Sequence, residues 1–70
     1  MNYTIQLGDM LLDSNNSIGM VVSAETDKSK YRVRWYPDEE TNIYWSEEHL
    51  IEYKDNWTQA QKRYIKNNNL

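Results

Sequence analysis

The chain has no cysteine, no phenylalanine, one proline, two glycines and one histidine among its 70 residues. Without cysteine it can form neither a disulfide nor a thiolate metal site, which leaves a chain near the lower size limit for a single core to hold itself together by packing alone. A single histidine excludes a His-rich metal centre, and the Asp and Glu residues lack the spacing of a calcium loop. There is no Ser-His-Asp order, Gly-rich phosphate loop or cysteine nucleophile. So short a chain also has little room for a deep pocket of convergent catalytic groups. The expectation is a protein that is not an enzyme and uses no cofactor or metal. No apolar run approaches the ~20 residues that span a bilayer. The opening Met-Asn-Tyr-Thr-Ile-Gln-Leu lacks the positive flank and apolar stretch of a signal peptide. A soluble, cytoplasmic protein with no membrane partner is expected.

What the chain has instead is tyrosine and tryptophan, six and three. Both combine a large apolar body with a polar handle, so they suit the rim of a core or a wet binding groove. The net charge of −3 is uneven. Residues 1–54 carry ten acids against five bases, and residues 55–70 one acid against three bases. An acidic body with a basic tail argues against nonspecific binding to phosphate, which needs a basic footprint, while −3 is too small for a strong nucleic-acid mimic.

The most informative stretch is 31–45, which places five aromatic side chains on two alternating runs joined by Pro37, Asp38, Glu39 and Glu40. Such a pattern predicts a β-hairpin. Tyr31, Val33 and Trp35 share one face, and Lys30, Arg32, Arg34 and Tyr36 the other. In the second run Ile43 and Trp45 share a face, with Tyr44 and Ser46 on its reverse. Val33, Trp35, Ile43 and Trp45 are therefore the expected core and Tyr36 and Tyr44 the expected surface. Around this hairpin the sequence predicts a lead-in over 1–8 with Ile5 and Leu7 tucked in, and strands at Met10–Leu12 and Ile18–Glu25. A polar loop at 13–17 and a turn at 26–29 separate these elements. Gly19 marks a bulge or bend in the second strand. Ser46 to His49 reads as one capped helical turn, and Leu50 to Tyr53 as a fifth short strand.

The chain then changes character. Asn56 can cap a helix over Trp57 to Asn67, with Trp57, Ala60, Gln61, Tyr64 and Ile65 on one side and Lys62 and Lys66 opposite. A lone helix of this length is marginal in water, so it is expected to dock on the strands with Trp57 as anchor, ahead of a frayed 67–70. The prediction is one domain, with strands over 8–53 and a helix over 56–67.

Gly8-Asp9 entering the first strand, Gly19-Met20-Val21-Val22 in the second, Tyr31-Arg32-Val33-Arg34-Trp35 in the third, Tyr44-Trp45 in the fourth and the helical turn before the fifth together resemble the SH3-like barrels of the Tudor, chromo-barrel and KOW type. The resemblance covers roughly residues 8–53 and implies a mainly β fold: a small five-stranded antiparallel barrel, here with a C-terminal α-helix. The Asn-rich, Tyr-rich, cysteine-free composition is also similar to that of small tailed-phage proteins. That likeness implies an accessory or host-takeover protein in the host cytoplasm.

The resemblance implies a ligand site at Trp35, Tyr36, Tyr44 and Trp45, bordered by Asp38, Glu39 and Glu40. Aromatic faces attract cations at ~0.5–2 kcal/mol per contact, so a cage rimmed by carboxylates suits methylated lysine or arginine, or a basic peptide. The leading expectation is thus a protein-interaction module whose partner is a protein or peptide. The alternative is a KOW-type nucleic-acid binder using the basic stripe Lys30, Arg32 and Arg34. Pairing of that stripe with Glu25, Glu47 or Glu48 would neutralise it more cheaply. A third reading is a protein that pairs with itself.

Overall fold

The computed structural model describes residues 5–67. The first half of the predicted lead-in and the last residues of the predicted frayed end lie outside that range. Four antiparallel strands follow one another in a meander: β1 (Met10–Leu12), β2 (Ile18–Glu25), β3 (Lys30–Tyr36) and β4 (Glu40–Tyr44), in spatial order β1-β2-β3-β4. A single 3-10 turn, Thr26–Lys28, joins β2 to β3. Among the described residues one helix follows the sheet, α1 (Glu48–Asn67).

This corrects the expected five-stranded SH3-like barrel. The sheet is open, and the residues assigned to a fifth strand, Leu50–Tyr53, lie inside a 20-residue helix. The physical reason is in the sequence: no glycine or proline follows Pro37, so nothing interrupts a helix from Glu48 onward. A four-residue apolar run such as Leu-Ile-Glu-Tyr does not by itself distinguish strand from helix. Counted from Leu50, however, Tyr53, Trp57, Ala60 and Tyr64 continue one helical stripe. The first helical hydrogen bond runs from the Ile51 amide to the Glu47 carbonyl at 2.8 Å. Asn56 is therefore not a cap. Its side-chain amide donates to the Leu12 carbonyl at 3.1 Å and ties the helix to β1.

Cross-strand partners share a face, so the registers fix the two sides of the sheet. Leu11 pairs with Gly19, Gly19 with Trp35, Val21 with Val33, and Ala24 with Tyr31. These residues line the inner face, over which Leu50 and Ile5 complete the core. The register shifts between Val21 and Ser23, so the bulge falls at Val22, not at Gly19. Gly19 serves instead to make room: a Cβ there would stand 2.7 Å from Trp35 Cε3 and 2.9 Å from Val33 Cγ1, inside ordinary contact distance.

The expected core is half right. Val33 and Trp35 are buried, but Ile43 is 46% and Trp45 67% exposed. The loop between the strands decides this. Trp35 pairs with Glu40 and Tyr31 with Tyr44, which puts the even-numbered residues of β4 on the inner face. Shifting a register by one residue exchanges a strand's two faces. Leu7, expected to be tucked in, is 69% exposed.

The helix packs chiefly against β1, the edge strand farthest from β4. Lys54 Nζ reaches the Asp9 carboxylate at 3.0 Å. Leu50 is fully buried whereas Trp57 is only half-buried, so Leu50 and not Trp57 is the anchor. Residues 61–67 are all exposed, Lys62 and Lys66 included, and at ~1.5 Å per residue the helix overhangs the sheet by about 10 Å. Because α1 lies over β1, residues 40–43 of β4 are exposed on both faces of the sheet.

Candidate functional site

The pairing of Ile18 with Tyr36 places the β1–β2 loop beside the β3–β4 loop, at one end of the sheet. Between these loops and the uncovered inner face of β4 lies a groove of about 190 Å³. Its rings are Trp35, Tyr36 and Tyr44, and its acids are Asp13, Asp38 and Glu40, with Ser17 and Asn42 completing the wall. Each part has a local cause. Asp13 Oδ1 accepts from the amides of Asn15 at 2.9 Å and Ser17 at 2.8 Å, a turn that a short carboxylate builds on its own backbone. Glu40, Asn42 and Tyr44 face inward by the β4 register. Trp35 is held from behind by Tyr53, edge to face at 5.9 Å and 78°. Burial first, then the charges of Tyr44, Asp13 and Glu52, raise the Tyr53 phenol above its usual pKa.

Five of the seven residues implied by the resemblance thus line one groove: Trp35, Tyr36, Tyr44, Asp38 and Glu40. The other two do not. Trp45 follows the outer face, where Lys30 Nζ stands 5.6 Å from its ring centroid. Glu39, with φ 58°, turns its carboxylate to Arg34 at 3.3 Å. Asp13, Ser17 and Asn42 are additions that sequence reasoning missed. The Asp-Ser-Asn-Asn-Ser composition announced a loop, but only the strand registers bring it beside β4.

Charge is unevenly satisfied across the molecule. Glu25 pairs with Lys28 and Lys30, each at 3.9 Å, Arg34 with Glu39, and Lys54 with Asp9. Among the described residues, Asp13, Asp38 and Glu40 have no cationic partner, and no basic residue lines the groove. The basic stripe is the reverse case: Lys30 and Arg34 are both paired, leaving Arg32 as its one residue without an ion pair in the described structure. A larger hollow of about 380 Å³ is lined by Glu48, Ile51, Glu52 and Asp55, all from α1 and without an aromatic ring. Among the described residues no group of His, Cys, Asp or Glu is placed to hold a metal ion, and no helix is long and apolar enough to cross a membrane.

Comparison of the chain with protein-family models, with curated proteins and with solved structures gave no match.

Proposed function

We propose that the protein is a non-catalytic binding module whose groove receives a cationic side chain, lysine or arginine or a methylated form of either, from a protein or peptide partner. The observation that carries this reading is the convergence of Asp13, Asp38 and Glu40, all without a cation, around the rings of Trp35, Tyr36 and Tyr44. A cation there meets the carboxylates beside the half-buried Tyr44 ring, since Trp35 is only 8% exposed and the Arg34 guanidinium already stands 6.0 Å from the Tyr36 ring centroid. An exposed ion pair contributes ~0.2–1 kcal/mol and a cation–π contact ~0.5–2 kcal/mol. One side chain making one contact of each kind therefore gains at most ~3 kcal/mol, which is weaker than the ~4 kcal/mol that corresponds to about 1 mM. A useful affinity needs contacts beyond the groove.

The nucleic-acid reading has less support. Two of the three cations on its stripe are already neutralised by Glu25 and Glu39. Titrating the protein with basic, acidic and neutral peptides and with oligonucleotides, and following tryptophan fluorescence, separates the two. Basic peptides should bind, and Glu40→Lys should abolish that binding. Binding of oligonucleotides alone, with affinity falling steeply as salt rises, would reverse the assignment.

A further inference from the structure

Resting on the groove reading, we propose that the partner's segment binds in extended form as a fifth strand on the open edge of β4, with lysine or arginine at alternate positions and apolar residues between them. The two edges of the sheet differ. β1 has three residues and carries the helix. β4 has five residues, Glu40–Tyr44, and among the described residues nothing pairs with its far side. On alternate residues of an edge strand the backbone N–H and C=O point away from the sheet and form a template for another chain. Within β4 there is no proline or lysine to blunt that template, and its single charge is Glu40.

The two faces of β4 specify what the added strand must carry. Its inward side chains would lie beside Glu40, Asn42 and Tyr44, at the mouth of the acidic groove. Its outward ones would lie beside Thr41 and Ile43, the latter 46% exposed, with Trp45 just past the end of β4 and Lys30 Nζ 5.6 Å from its ring centroid. Directly opposed side chains sit about 5 Å apart, so a cation inward and an apolar group outward each meet a complement, whereas an inward acid meets Glu40 and Asp38. A span of five residues covers about 17 Å, enough for two or three inward side chains, of which a cation beside Glu40 also lies toward the groove acids Asp13 and Asp38. A second copy fits the same edge less well. Antiparallel pairing of β4 with β4 about Asn42 sets Glu40 opposite Tyr44, brings a second set of groove acids near, and supplies no cation.

The test uses the full chain and three synthetic seven-residue peptides alternating Lys and Val. One is unmodified, one is N-methylated on its Val amides and one on its Lys amides, which lie on opposite edges of the extended chain; for an added strand antiparallel or parallel to β4 one of these two edges faces β4, and the peptide methylated there is the inward-methylated one. Binding is read by backbone amide NMR shifts and tryptophan fluorescence, with sedimentation giving the oligomeric state. The expected result is binding of the unmodified and outward-methylated peptides, with affinity at least about tenfold lower for the inward-methylated one because hydrogen bonds to β4 are lost. Equal affinity for both methylated peptides would overturn strand addition while leaving the groove reading intact. Absence of shifts at Asp13, Asp38 and Glu40 with any basic peptide would remove both. Dimerisation through β4 without peptide would assign the edge to a second copy and overturn the proposal.

Discussion

Substituting Gly19 by alanine tests how the core and the groove are joined. Alanine ordinarily improves on glycine in a regular element by ~0.4–1 kcal/mol, because the unfolded chain has less freedom to lose. Here the added methyl would stand 2.7 and 2.8 Å from Trp35 Cε3 and Cζ3 and 2.9 Å from Val33 Cγ1. Unstrained carbon contacts lie at about 3.5–4.0 Å, so the indole must retreat by nearly 1 Å. It cannot do so freely, since Trp35 is only 8% exposed and its far side meets Tyr53. Overpacking of this kind costs typically ~1–3 kcal/mol, which outweighs the entropic gain. The expected outcome is a net loss of about 1–2 kcal/mol, read as a fall of several degrees in Tm, since 1 kcal/mol is worth ~4–8 °C in a domain of this size. Shrinking the ring supplies the control: Gly19→Ala should cost markedly less in a Trp35→Leu background than in the wild type. A neutral or stabilising Gly19→Ala would refute the close approach of β2 to Trp35, and with it the placement of the ring that walls the groove.

Other consequences are as direct. Leu50→Ala should destabilise by ~2–5 kcal/mol, as for a filled core site, while Ile65→Ala on the overhanging helix should stay within ~0.5 kcal/mol; equal effects in chemical denaturation would contradict the packing of α1. The Tyr31 hydroxyl is buried beside the Glu47 carboxylate without a hydrogen bond of ordinary geometry among the described residues, so Tyr31→Phe should change stability by less than ~1 kcal/mol in the same assay, because the Glu47 contact offsets part of the ~1–3 kcal/mol cost of a buried hydroxyl. Burial, and then the nearby Glu47 carboxylate, raise the Tyr31 phenol above its ordinary pKa, and burial raises that of Tyr53. Stability should therefore be undiminished by these groups below pH ~10 and decline above it, as the unfolded phenols ionise before the folded ones. Tyr31→Phe should flatten that alkaline decline, and an unchanged slope would contradict the raised pKa.

The strands β1 to β3 were legible because alternation and turn composition agree there, down to the bounds of Ile18–Glu25 and Lys30–Tyr36. The faces of β4 were not. Ile43 and Trp45 look like core by type, yet the register with β3 turns them outward, and register depends on a loop conformation that composition does not specify. The helix is half legible: Trp57 to Asn67 has the right period, but Asn56 also suits the cap position at which a helix would begin. Asn56 instead uses its amide on β1. The missed half of the helix replaced a fifth strand, which is why a closed barrel became an open sheet. The acidic and aromatic composition of the site was visible in Trp35 to Tyr44. That Asp13 joins it, and that Trp45 does not, follows from pairing across the sheet.

Entry of a cation into the groove between the β1–β2 loop and β4 can be followed by amide NMR titration of the intact protein with a short lysine- or arginine-rich peptide. The expected shifts concentrate at 13–17, at 35–44 and at the Trp35 indole, and all are suppressed by Glu40→Lys. Shifts confined to the exposed end of α1 or to the outer face around Lys30, Arg32 and Trp45, or shifts that persist in Glu40→Lys, would contradict it.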